Sequence, residues 1–218
     1  MPEKSRVLIV DDHPIVRAGV RLALRGRPAF EICGEAASVN AAVELAQKEK
    51  PDVVVLDLLM GGRDGVELVG RIRELLPEAK ILVFSMNSED LFAQRALRAG
   101  ANGYLMKEGG LEELQRALDR IMAGEVYVSG RMNTRLLSAM ARGESDDGAL
   151  ANLTAREMQV FLLLGAGKTT GQIAEELSLS VKTISTHREN LKSKLGVDSA
   201  PELVRKAVAH VVGRGRET

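Results

Sequence analysis

Two apolar rhythms alternate through the first 123 residues. Short runs rich in β-branched side chains, RVLIV, FEICGE, DVVVLD, KILVFS and GYLM, read as five strands. Between them PIVRAGVRLAL, VNAAVELAQKE, DGVELVGRIREL, EDLFAQRALRA and LEELQRALDRIM place an apolar residue every three or four positions, the period of a helix with one buried face. Strict strand–helix alternation predicts parallel strands with helices on both faces, and the nearly all-apolar strands agree, because such strands have no wet side. Residues 4–123 are therefore expected to form an α/β domain, a five-stranded doubly wound parallel sheet.

The rhythm breaks at Gly124. RMNTRLLSAMA has the spacing of a short helix, but ARGESDDGALAN combines glycines and a small acidic cluster with few large apolar residues, so 124–152 reads as a linker. Thr154-Ala-Arg-Glu157 then forms a capping box, with Leu153 placed to staple against Met158. Thr169-Thr-Gly-Gln172 repeats that pattern, Ser180 can cap a further helix, and Ser199-Ala-Pro-Glu202 gives a third box. A small all-α domain of four helices is expected over 153–213.

One stretch of it, GAGKTTGQIA from Gly165, looks at first like a phosphate-binding loop. That loop needs G-x-x-x-x-G-K-[ST], and the position of its first glycine holds Leu162. Gly165 and Gly167 instead end one helix, Lys168 meets that helix's negative end, and Thr169 caps the next.

At 218 residues and 45% hydrophobic composition the chain has core material enough for two domains. The single cysteine, Cys33, excludes an intramolecular disulfide. His13, His187 and His210 lack CxxC or HExxH neighbours and predict no transition-metal site; His187 and His210 read as structural. No apolar run reaches bilayer length and MPEKSRVLIVDD is acidic where a signal peptide has its greasy core, so a cytoplasmic chain without a membrane partner is expected. Net charge is zero, yet residues 1–125 hold 17 Lys+Arg against 20 Asp+Glu and 153–218 hold 10 against 7. The sign of that difference suits a tail that approaches phosphate.

Candidate chemistry lies at the strand ends, where open parallel sheets bind ligands. Asp11 and Asp12 follow the first strand, Asp57 the third, Ser85 the fourth and Lys107 the fifth. Should the first and third strands be neighbours, three carboxylates converge, and a hard divalent cation such as magnesium relieves their repulsion. A hydroxyl and an ammonium beside it suit the holding of a phosphoryl group. Taken alone, Asp11-Asp12 before His13-Pro14 also fits a helix cap, Ser85 a first-turn residue and Lys107 a solvated charge. Tyr104, three before Lys107, fits core or rim packing as well as a switch.

This arrangement of acids, serine and lysine resembles the receiver domain of bacterial two-component response regulators, a flavodoxin-like fold, over about 120 residues. The resemblance implies that Asp57 is phosphorylated by a sensor histidine kinase. It implies that Asp12, Asp57 and the Leu59 carbonyl bind Mg2+ directly, with Asp11 acting partly through water. Lys107 then pairs with phosphoryl oxygens, Ser85 swings toward the phosphate, and Tyr104 turns inward, changing the face made by the fourth helix and fifth strand. The family usually has proline four residues past the phosphorylated aspartate; Gly61 followed by Gly62 stands there and predicts a looser loop.

In QIAEELSLSVKTISTHRENLKSKLG a short helix, the turn Ser178-Leu179-Ser180 and a longer helix from Val181 to Leu195 spell helix-turn-helix. Val181, Ile184, Leu191 and Leu195 are expected to form its buried stripe against Ile173, Ala174 and Leu177. Lys182, Thr186, Glu189, Asn190 and Ser193 then point outward, with Ser185 and Lys192 on the flank, as DNA contacts would and as any soluble helix would. Arg188, near the stripe, reads either as a phosphate contact or as packing with a surface-reaching head. From Leu153 to Val197 the sequence resembles the LuxR-type DNA-binding domain, and with the receiver the whole chain resembles the NarL/FixJ response regulators. The resemblance implies promoter-DNA contacts at Thr169, Lys182, Thr183, Ser185, Thr186, Arg188, Glu189, Asn190 and Lys192, and a homodimer on double-stranded DNA. An aspartate-nucleophile phosphatase would use similar acids, but expects a second aspartate where Leu59 stands and a cap over the substrate. A regulator rather than an enzyme is expected. A receiver serving only as a dimerisation module is the remaining alternative, and the intact acid cluster argues against it.

Overall fold

A computed structural model of the chain describes residues 4–60, 63–142, 150 and 153–214, in two compact units, 1–144 and 145–218. The predicted looseness at Gly61 and Gly62 lies outside the described residues.

In the first unit the strands β1 (Ser5–Val10), β2 (Phe30–Ala36), β3 (Val53–Leu56), β4 (Lys80–Ser85) and β5 (Gly103–Met106) form one parallel sheet in the order β2-β1-β3-β4-β5. The helices α1 (Pro14–Leu24), α2 (Val39–Glu49), α3 (Gly65–Leu75), α4 (Glu89–Arg98) and α5 (Gly110–Met122) connect them or follow the last. A two-residue antiparallel pair, Leu59–Met60 with Arg63–Asp64, interrupts the connection after β3. All four residues of β3 are buried, as a central parallel strand with helices on both faces requires. Side chains alternate between faces, so Val7, Ile9, Val53, Val55, Leu82 and Phe84 pack with α1 and α5 residues such as Val20, Leu114 and Leu118 in one apolar cluster.

The register places the site. Val10 pairs with Leu56, and the Asp57 N–H donates to the Val10 carbonyl at 2.9 Å, so the acids after β1 and β3 leave the sheet side by side. Chain order reverses at this point, since β1 connects outward to β2 and β3 to β4.

Part of the segment read as linker, 124–152, is built into the first unit. Tyr127 adds to the β5 edge through Tyr104 N–H to the Tyr127 carbonyl (2.7 Å) and Tyr127 N–H to the Asn102 carbonyl (3.0 Å). It covers a strand edge that would otherwise offer unpaired backbone groups. Beyond it α6 (Gly130–Arg142) lies against α4: Asp90 is ion-paired with Arg131 and Arg135, the Ser129 N–H donates to Glu89 at 2.7 Å, and Met132 is buried. The acidic cluster of the expected linker lies outside the described residues.

The second unit holds α7 (Ala155–Gly165), α8 (Thr170–Glu176), α9 (Val181–Leu195) and α10 (Ala200–Arg214). Both capping boxes, at Thr154 and Thr169, close reciprocally, and Ser180 accepts from the Thr183 N–H at 3.0 Å. The third is altered: Ser199 accepts from the Glu202 N–H at 3.4 Å, while the Glu202 carboxylate accepts from Asp198. Gly165 ends α7 for a reason of packing, because a Cβ there would lie 2.5 Å from the Ala207 carbonyl of α10. Gly167 follows in the left-handed region at φ +81°. Lys168 pairs with Glu176 across the turn.

Among the described residues of this unit Glu157 is the buried acid. It accepts from Lys194 at 2.7 Å and from the Thr154 N–H at 2.8 Å. Burial alone would raise its pKa, but the Lys194 and Thr154 hydrogen bonds outweigh that and hold it below the ordinary 4.5. A lowered folded-state pKa contributes stability that is present above the ordinary value and is lost as pH falls through and below it. Urea titrations should therefore show the second unit weakening below about pH 4.5. Glu157→Gln should cost about 1–2 kcal/mol at neutral pH and flatten that acid limb.

Candidate functional site

At the β1–β3 edge the side chains of Asp11 and Asp57 are each 4% exposed, and Asp12 is 30% exposed. The Lys107 ammonium bridges the two buried acids, 2.6 Å from Asp11 Oδ2 and 2.6 Å from Asp57 Oδ2. Lys107 opens the short 3-10 turn after β5, so the end of that strand aims it across the site. Burial pulls its pKa down, but the Asp57 charge and the hydrogen bonds to Asp11 and Asp57 outweigh this and hold it above the ordinary lysine value.

Ser85, fully buried at the end of β4, donates to Asp57 Oδ1 at 2.7 Å, and the Leu59 N–H approaches the same oxygen at 3.3 Å. Asn87 Nδ2 donates to Ser85 Oγ at 3.0 Å, and the Tyr104 hydroxyl donates to the Asn87 carbonyl at 3.1 Å. Tyr104 has no exposed surface, and burial raises its pKa. Ser85 and Tyr104 are both fully buried in this structure.

The helix-cap reading of the acids is not met: His13 is the N-cap of α1, and the Asp11 side chain bonds ahead of the helix's first turn. Asp11 Oδ1 accepts from the His13 N–H at 2.8 Å, and the Arg17 guanidinium pins the Asp11 carbonyl at 2.7 Å. His13 itself joins the site, which its sequence spacing did not suggest: one ligand atom each from Asp11, Asp12, His13 and Asp57 lies within 4.8 Å of the others. Carboxylate oxygens are hard donors, and three of them at this spacing fit Mg2+.

In the second unit Ile184, Leu191 and Leu195 are buried as expected, together with Ile173 and Ala174. Val181 corrects the predicted stripe: it is 55% exposed. It is the first residue of α9, and side chains lean toward a helix's N-terminus, so it leans off the end of the packed stripe.

Lys182, Ser185, Thr186, Glu189, Asn190 and Ser193 are exposed, with Thr183, Arg188 and Lys192 half-buried. The hydroxyls of Ser185 and Thr186 donate back to the Val181 and Lys182 carbonyls, leaving their lone pairs outward. Glu189 pairs with Lys192 at 2.7 Å, and Arg188 donates to Thr170 Oγ1, which ties α9 to α8. Thr169 caps α8. Burial holds the His187 pKa below its ordinary value, and His210 lies against the Phe161 ring at 5.8 Å between centroids. Among the described residues no helix is long and apolar enough to cross a membrane.

Comparison with known proteins bears on both units. A family model described as the response regulator receiver domain matches residues 7–119. A second, for bacterial regulatory proteins of the luxR family, matches residues 151–207. Response regulator GacA of Pseudomonas aeruginosa is 34% identical, over 94% of this chain and 96% of its own. Transcriptional regulatory protein LiaR of Bacillus subtilis is 35% identical over 88% of this chain and 91% of its own. A solved structure of two RcsB dimers bound to two parallel DNAs is similar at a TM-score of 0.58 and 28% identity, over 93% of this chain and 97% of that one.

Proposed function

Since this chain belongs to the response regulators that join a receiver domain to a LuxR-type DNA-binding domain, we propose that a sensor histidine kinase phosphorylates it on Asp57 and so controls dimerisation and binding to promoter DNA. The observation that carries the reading is the Asp57 carboxylate at a strand end, held by Ser85 and Lys107 beside Asp11 and Asp12.

In the proposed transfer an oxygen lone pair of Asp57 forms the new O–P bond. The kinase's imidazole nitrogen leaves with the electrons of the N–P bond, and an acyl phosphate results. Lys107 meets the charge on the phosphoryl oxygens, and Ser85 turns its hydroxyl from the carboxylate to one of them. Asp11, Asp12, Asp57 and the Leu59 carbonyl would hold Mg2+, which supplies further neutralisation of that charge. The acyl phosphate favours one of two pre-existing arrangements of the α4–β5 face. Ser85 ends β4, Asn87 stands in the connection into α4, and α4 is ion-paired to α6, which supports a route for the signal toward the tail.

The solved RcsB dimers on DNA support a homodimer on double-stranded promoter DNA, and the exposed polar face of α9 supplies the groups that would enter the major groove. The luxR-family match supports a cytoplasmic regulator rather than an enzyme.

With Mg2+ and a small phosphodonor, intact-mass measurement should show one added phosphoryl group on the wild type and none on Asp57→Asn. Phosphorylated protein should retain DNA more tightly, and retention should fall steeply between about 50 and 200 mM salt. No mass gain on the wild type removes the switch, and salt-indifferent retention removes the phosphate contacts.

A further inference from the structure

The acidic edge of the sheet carries a nitrogen donor as well as its oxygens. Pro14 is the first residue of α1, and the residue before a proline is pushed into extended backbone. His13 obeys, with φ −91° and ψ 112°, and its side chain makes no capping hydrogen bond to the helix it precedes. Its Nδ1 instead lies 2.8 Å from Asp12 Oδ1 and 3.2 Å from Asp11 Oδ1.

These contacts are a hydrogen bond and ion pairs here, and a cation bound between the same atoms would need the same spacings. Octahedral bonds of about 2.0–2.2 Å put adjacent donor atoms about 3 Å apart. The backbone holds the nitrogen there, because the His13 N–H is itself bonded to Asp11 Oδ1 and Arg17 fixes the Asp11 carbonyl. The imidazole is 63% exposed, so it meets an ion entering from solvent without a rearrangement of the core.

We infer that His13 is a direct ligand of the divalent cation held by the acids, and that it shifts the site's preference from Mg2+ toward Mn2+. The inference rests on the reading of Asp11, Asp12 and Asp57 as a cation site. Magnesium dehydrates reluctantly and favours oxygen, whereas imidazole suits the first-row transition metals. A mixed set of three carboxylates and one imidazole therefore discriminates between the two ions where an all-oxygen set hardly would.

Pulsed electron paramagnetic resonance on the full chain loaded with Mn2+ reads the ligand directly. The wild type should show the coupling of a bound 14N nucleus, and His13→Ala and His13→Gln should both lose it. In calorimetric titrations the Mn2+ over Mg2+ affinity ratio should fall at least about tenfold in both variants, since losing even an outer partner of a metal ligand costs about that much. A wild-type spectrum without bound nitrogen, a coupling that survives both substitutions, or an unchanged affinity ratio each overturns the assignment. If both ions bind and no nitrogen is seen, only His13 loses its role. If neither ion binds the wild type, the cation site itself fails and takes this inference with it.

Discussion

Lys107→Ala is expected to slow phosphoryl acceptance at Asp57 by about a hundredfold while making the unphosphorylated protein bind Mg2+ more tightly. The two effects have one cause. The Lys107 ammonium, 8% exposed, is the cation that neutralises Asp11 and Asp57 in this structure, so it competes with a metal for the same carboxylates. During transfer it would instead meet the phosphoryl oxygens, where its loss removes stabilisation of developing charge.

The same substitution leaves two buried carboxylates facing one another, at a cost of about 3–5 kcal/mol. The pH dependence has a definite sign. Lys107 has its pKa raised on folding, so its stabilisation is complete below its ordinary value of 10.5 and drains away only as pH rises through the folded-state value. Neutral or mildly acidic buffer does not release it. Thermal melts should therefore show a large loss for Lys107→Ala at neutral pH, recovered in good part by millimolar Mg2+. A variant whose melting point ignores Mg2+, and whose Mg2+ affinity equals that of the wild type, would show that the ammonium and the metal do not share these acids.

How far the site was legible in the sequence depends on the distance over which each residue's environment is set. Asp11, Asp12, Asp57, Ser85 and Lys107 each sit at the end of an apolar run, and parallel strands with helical crossovers bring all such ends to one edge. Local pattern plus strand alternation therefore located them. Their convergence further required β1 and β3 to be neighbours, which the observed register supplies. The two reciprocal capping boxes were equally legible, because each is closed within four residues.

What pattern missed depends on partners distant in sequence or on the exact direction of a bond. Val181 keeps the helical period of the buried stripe and yet is exposed, because period says nothing about where a packing partner ends. Tyr127 and α6 looked like linker because their partners lie upstream, on the β5 edge and on α4. Glu157 was legible as a cap, but not as the buried partner of Lys194, 37 positions away. His13 stood beside the acids all along. Metal-site spacing rules look for repeated ligands, whereas here the turn before Pro14 aims the ring.

Gly65 is the sharpest case of a residue whose importance no periodicity announces. It begins α3, and a Cβ on it would lie 2.3 Å from the Leu58 Cα, 2.6 Å from the Leu58 carbonyl oxygen and 2.7 Å from the carbonyl carbon. These are backbone atoms, so no side-chain rotation relieves the overlap. The Gly65 N–H also donates to the Leu58 carbonyl at 2.9 Å, closing the start of the helix onto the residue that follows Asp57. Leu58 is fully buried, so it has little room to retreat.

Gly65→Ala should therefore destabilise the first unit by about 2–4 kcal/mol. It should also displace the loop carrying Asp57 and Leu59. A displacement near 1 Å at a reacting carboxylate costs about a hundredfold in rate. Gly70→Ala supplies the contrast, since nothing lies within 4 Å of a Cβ at that position in the same helix. That substitution should stabilise the protein by about 0.5–1 kcal/mol and leave phosphorylation unchanged. Thermal melts and phosphodonor mass kinetics on the pair separate a helix-propensity effect from a clash beside the acceptor. If the two variants melt and react alike, the close approach of α3 to Leu58 does not position Asp57.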